Sequence, residues 1–123
     1  ITSKRIKNAH LFDTLLKFNS NVKLVKRHSY LKEVFHLYHI NVKNRDNLQR
    51  FLIKNSVDAK VHYPIPIHLQ TASKYLKYKK GDFPIAEKMA DTTLSLPVHE
   101  FIKEKDIKYV VNLINYFYQK IKI

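Results

Sequence analysis

Near the C-terminus Ile107, Val110, Val111, Ile114, Phe117, Tyr118 and Ile121 recur at intervals of three and four residues, with Lys108, Asn112, Asn115, Gln119 and Lys122 between them. That period winds the apolar side chains into one stripe of an amphipathic helix of several turns. A stripe of this kind must be covered by a second layer of structure. The other residues have to supply that layer, and a chain of 123 residues has room for one domain around one core.

A second helical stripe opens the chain: Ile6, Ala9, Leu11, Phe12, Leu15 and Leu16, with Lys4, Asn8, Asp13 and Lys17 on the other side, ending near Asn19-Ser20-Asn21. Residues 22–25 then read as a short strand and 34–42 as a longer one rich in β-branched and aromatic residues, a pair able to lie side by side. Asn44 is placed to N-cap a helix carrying Leu48, Phe51 and Leu52, which closes at Asn55-Ser56 before a third strand at 58–61. Pro64 and Pro66 impose an irregular, extended path on 62–66. Gly81 is the only glycine and marks a turn that needs positive φ. Pro84 starts another helix, with Ile85, Ala86, Met89, Ala90 and Thr93 predicted as its buried stripe and Glu87 near its positive end; Leu94-Ser95-Leu96-Pro97 leaves it as a short strand. This order predicts an α+β fold, a small sheet with helices packed on one or both faces.

The inventory narrows the chemistry. With no cysteine there is no disulfide, no thiolate zinc site and no cysteine nucleophile, and a reducing cytoplasm is the expected location. No apolar run approaches the ~20 residues of a spanning helix. The chain opens without an initiator Met or a signal-type apolar segment, so it is expected to begin inside a longer protein. One glycine leaves no Gly-x-Ser-x-Gly elbow and no phosphate-cradling glycine loop, and self-contained catalysis is not expected. His36 and His39, three apart on a predicted strand, point to opposite faces and cannot share an ion, so no metal site is expected.

Two constellations point to binding. His62, Tyr63 and His68 flank the proline loop, where backbone geometry can aim side chains into a cleft; a hydroxyl-tipped ring beside an imidazole suits a sugar and equally suits a loop anchor. The formal charge, 23 Lys+Arg less 10 Asp+Glu, is +13 with His neutral. Together with Lys74-Tyr75-Leu76-Lys77-Tyr78-Lys79-Lys80 it permits a free-standing basic nucleic-acid-binding module, although no RNP, KH, zinc-finger or recognition-helix pattern accompanies the run.

At His62-Tyr63-Pro64-Ile65-Pro66-Ile67-His68-Leu69-Gln70 the sequence resembles the HYP-x-P-x-HLQ signature of the DegT/DnrJ/StrS sugar aminotransferases. Upstream, Val34-Phe35-His36-Leu37-Tyr38 is similar to that family's V-[FY]-H-L-Y segment and Arg45-Asp46-Asn47-Leu48 to its R-D-x-L helix start. Downstream, Gly81-Asp82-Phe83-Pro84-Ile85-Ala86-Glu87 and Leu94-Ser95-Leu96-Pro97 resemble its GDFP-x-AE and LSLP segments, in the same order. The stretch before the HYP motif departs from the pattern, with Asn55 to Val61 where the family usually carries glycines.

The resemblance implies the C-terminal small domain, residues 1–123, of a longer pyridoxal-phosphate enzyme of the aspartate-aminotransferase fold type, its large cofactor-binding domain absent here. Such an enzyme moves an amino group, usually from glutamate, onto a nucleotide-linked keto-sugar, as in polysaccharide biosynthesis, and the full-length protein is expected to be a homodimer. No position matches the family's Schiff-base lysine motif, so no catalytic residue and no bound cofactor are expected in this chain, which alone should be inactive. His62, Tyr63 and His68 are the expected substrate-binding residues. Some relatives act as dehydratases, and the resemblance leaves that choice open.

Overall fold

The computed structural model describes residues 1–121. Its elements are α1 (Thr2–Leu16), β1 (Val22–Lys23), β2 (Tyr38–Val42), α2 (Arg45–Lys54), α3 (Pro84–Thr92), β3 (Thr93–Leu96) and α4 (Glu104–Lys120), with 3-10 turns at Ile67–Leu69 and Thr71–Leu76. The three strands form one antiparallel sheet in the order β1-β2-β3. The predicted α+β class is the observed one.

Strict alternation along β2 and β3 gives the sheet two unlike faces, because successive side chains on a strand point to opposite sides. Tyr38 pairs with Leu96 and Ile40 with Leu94; these four side chains are buried and form the apolar face. Phe12 of α1 stacks on Tyr38, ring centroids 4.9 Å apart. The predicted stripe of α4 buries Ile107, Val110, Val111, Ile114, Phe117 and Tyr118 in the same core, against α1 and α2. His39 pairs with Ser95 and Asn41 with Thr93 on the opposite face.

Four expectations fail at the level of elements. The strand predicted at 34–42 begins only at Tyr38, because Phe35 adopts φ 50°, a left-handed conformation that ends an extended run. The strand predicted at 58–61 is a single bridge between Lys60 and Ser95. The strand predicted at 22–25 is limited to Val22–Lys23. The stripe predicted on α3 buries Ala90 and Thr93 but leaves Ile85 78% and Met89 46% exposed. An amphipathic period identifies an apolar face without saying that this chain covers it. Lys122, placed on the polar side of α4, lies outside the described residues.

Asp13 also departs from its expected solvated face. Its carboxylate accepts from the Tyr38 hydroxyl (2.7 Å) and from Arg27 Nε (3.1 Å), while Arg27 Nη1 donates to Glu33 (2.7 Å). This network fastens the irregular 24–37 segment to α1, and burial followed by the Asp13 hydrogen bond pushes the Tyr38 hydroxyl far above its ordinary pKa.

Candidate functional site

The polar face of the sheet is the floor of a cleft of about 490 Å³. His39 and Ser95 rise from β2 and β3, Tyr63, Ile65 and Ile67 come from the proline loop, and Ala86, Met89 and Ala90 of α3 form the opposite wall. The walls are mostly apolar and the few polar tips sit on the floor and lip, the composition typical of sites that take a small organic ligand.

His62 is half-buried, and its Nδ1 shares a hydrogen bond with Ser95 Oγ at 3.1 Å. That bond fixes the ring and leaves Nε2 as its remaining polar atom. Tyr63 stands edge-on to His62, centroids 6.0 Å apart, and at 76% exposure presents ring and hydroxyl at the lip. Behind them, burial, reinforced by the charge of Arg27, holds His39 below the usual imidazole range.

His68 lies elsewhere. It does not line the cleft, is 9% exposed, and binds Glu87 Oε1 through Nε2 at 2.9 Å while packing on Phe83 with centroids 4.8 Å apart. The same Glu87 oxygen accepts the Gly81 N–H at 2.7 Å. Glu87 is therefore a clamp that joins the proline loop, the Gly81 turn and α3, and the Gly81 N–H and then His68 hold its carboxyl below the usual range. Gly81 has φ 99°, as its place in a lone-glycine turn requires.

Sequence reasoning overlooked three residues that build the site. Ser95 orients His62, and its position in the alternation Thr93-Leu94-Ser95-Leu96 was the available signal. His39 enters the sequence reading through its spacing from His36, although its strand parity places it opposite the apolar face, beside Ser95. Arg45, 7% exposed, donates from Nη1 to the carbonyls of Ala90 (2.8 Å) and Thr93 (3.0 Å) and so pins the C-terminal end of α3 beside the floor. Those carbonyls are the acceptors a helix end leaves unpaired.

A second hollow of similar size lies between α1 and the 27–35 segment, walled by His10, Arg27, Glu33 and Phe35. There Arg27 is already engaged by Asp13 and Glu33, so its charge is spent within the fold.

The comparisons with known proteins agree with this architecture. The chain matches the DegT/DnrJ/EryC1/StrS aminotransferase family over residues 1–115. A pleiotropic regulatory protein of Geobacillus stearothermophilus is 45% identical over 86 residues, 70% of this chain and 23% of its own length. The dTDP-3-amino-3,6-dideoxy-alpha-D-galactopyranose transaminase of Aneurinibacillus thermoaerophilus is 33% identical over 82 residues, 67% of this chain and 22% of its own. The crystal structure of S. venezuelae DesV in complex with a ketimine intermediate is similar in fold, with a TM-score of 0.92 at 24% identity over 98% of this chain and 33% of that one. A family match over residues 1–115, along nearly the whole chain, makes this chain a member of the DegT/DnrJ/EryC1/StrS aminotransferase family.

Proposed function

We propose that this chain is the C-terminal small domain of an enzyme that transfers an amino group, from glutamate, to a keto-sugar carried on a nucleotide. The observation that carries the reading is the composition of the cleft: His62, Tyr63, Ser95 and His39 offer hydrogen bonds and a ring face, and no lysine is among the residues lining it. Pyridoxal phosphate, the cofactor the family implies, is held through a lysine amine and supplies the electron sink for transamination when bound. The residues present do not fit its attachment. The chain's part is to bind and orient the sugar, with Tyr63 against the ring, His62 Nε2 on a hydroxyl or carbonyl, and His68 holding the loop that carries both.

The exposed apolar residues of the cleft, Ile65, Ile67 and Met89, support the same division of labour, since a larger domain closing over the cleft would cover them. The full-length enzyme acts as a homodimer in the cytoplasm, in the supply of amino sugars for polysaccharides. No described helix is long and apolar enough to cross a membrane.

The test is steady-state kinetics of the full-length polypeptide with a nucleotide-linked keto-sugar and glutamate. His62→Ala and Tyr63→Phe should each lower kcat/KM for the sugar by roughly tenfold or more, about 1.4 kcal/mol, with cofactor absorbance unchanged. Unaltered kinetics with a lowered Tm would make both residues structural.

A further inference from the structure

Residues 70–83 form a small lobe beside the cleft that the sugar-binding reading does not use. Lys74, Lys77, Lys79 and Lys80 are all exposed on it, and among the described residues none of the four has a carboxylate at ion-pair distance. The two acidic groups nearest in sequence are committed elsewhere: Asp82 Oδ2 accepts the Lys79 backbone N–H at 2.7 Å, and Glu87 is held by Gly81 and His68. Four lysines against the single carboxylate of Asp82 leave the short lobe with a net positive field that favours a compact polyanion.

The lobe is ordered and attached at the cleft rim. Phe83 packs between His68 and Tyr78, at 4.8 and 5.0 Å between centroids, and the Lys77 N–H closes a turn on the Lys74 carbonyl at 3.1 Å. Ile67 and Ala86 line the cleft, and the residues immediately after them, His68 and Glu87, make the hydrogen bond that fastens the lobe. The basic surface therefore begins where the apolar cleft ends. Tyr75 and Tyr78, 78% and 48% exposed, add ring faces on which a planar base can stack.

We infer that this lobe binds the nucleoside diphosphate portion of the substrate, Lys77, Lys79 and Lys80 meeting the phosphates while the sugar lies against His62 and Tyr63. The inference rests on the nucleotide-sugar reading of the cleft and extends it. A nucleic-acid strand is the less favoured occupant, because such proteins track several successive phosphates along a groove, whereas these lysines share one short lobe beside the cleft.

Calorimetric titration of the full-length polypeptide with dTDP, thymidine, inorganic phosphate and a short oligo-dT strand tests it. The lysines are exposed, so Lys77→Ala/Lys79→Ala/Lys80→Ala should keep the wild-type Tm and weaken dTDP binding at least tenfold, with thymidine and phosphate each binding far more weakly than dTDP. His62→Ala should leave dTDP affinity within twofold, because dTDP lacks the sugar. Lysine-dependent dTDP binding with no effect of His62 or Tyr63 on sugar kinetics would uphold the lobe and overturn the cleft assignment. Wild-type protein that fails to bind dTDP, or a triple variant that binds it normally, would overturn the inference. So would oligo-dT binding far tighter than dTDP and falling steeply with salt, which would assign the lobe to nucleic acid.

Discussion

Two side chains, Asp13 and Glu87, carry much of the fold at the level of single residues. Asp13 satisfies a buried tyrosine hydroxyl and a guanidinium at once, so Asp13→Ala leaves two donors without their acceptor. The expected loss is about 1–3 kcal/mol in urea unfolding, with Tyr38→Phe recovering part of it in the double variant because the orphaned hydroxyl is then gone. Glu87 gives a pH signature. A carboxylate whose folded pKa is depressed contributes stability that is present above its unfolded value, about 4.3, and lost as pH falls through the folded value. Glu87→Gln should therefore flatten the acid limb of a Tm-against-pH profile below about pH 5, where the parent loses stability. An unchanged limb would mean that the clamp does not form in solution. Neither residue was legible as a key position: Asp13 looked like surface by helical period, since its partners lie 14 and 25 positions away.

Helices were more legible than strands, and the reason lies in α3 and α4. Both carry an apolar period; α4 turns it toward Phe12, Leu52 and the sheet, while α3 turns much of it outward beside the cleft. Substitution separates the two cases. Ile114→Ala, fully buried, should cost about 2–5 kcal/mol through lost burial and a residual cavity, whereas Ile85→Ala, exposed, should change stability of this chain by less than about 0.5 kcal/mol. Chemical denaturation of both variants checks the contrast, and a large loss at Ile85 would show that α3 packs inward. Strand ends were misjudged because they depend on what pairs beside them: Phe35 turns left-handed under the Arg27 side chain, 4.9 Å above its ring, and 58–61 finds one partner, Ser95, instead of a ladder. The alternation that makes one sheet face apolar and the other polar was present in the sequence. Its meaning emerged only once β2 and β3 were paired in register.

As a whole, the molecule is a sheet with its apolar face filled by α1, α2 and α4, its polar face lining a cleft, and a basic lobe at the cleft rim. The order of short motifs along the chain made the family legible, whereas the hydrogen bond of His68 to Glu87, nineteen positions on, was not to be read from its place beside the proline loop. Lysines are plentiful on the surface, and among the described residues none lines the cleft. If this chain orients substrate and the cofactor-bearing amine lies in other sequence of the full-length polypeptide, reductive trapping should locate it there. Borohydride reduction with pyridoxal phosphate followed by peptide mapping of the full-length polypeptide should give one stoichiometric adduct outside residues 1–123, and only scattered, substoichiometric labelling within them. A single dominant labelled lysine inside this chain would contradict that division of labour.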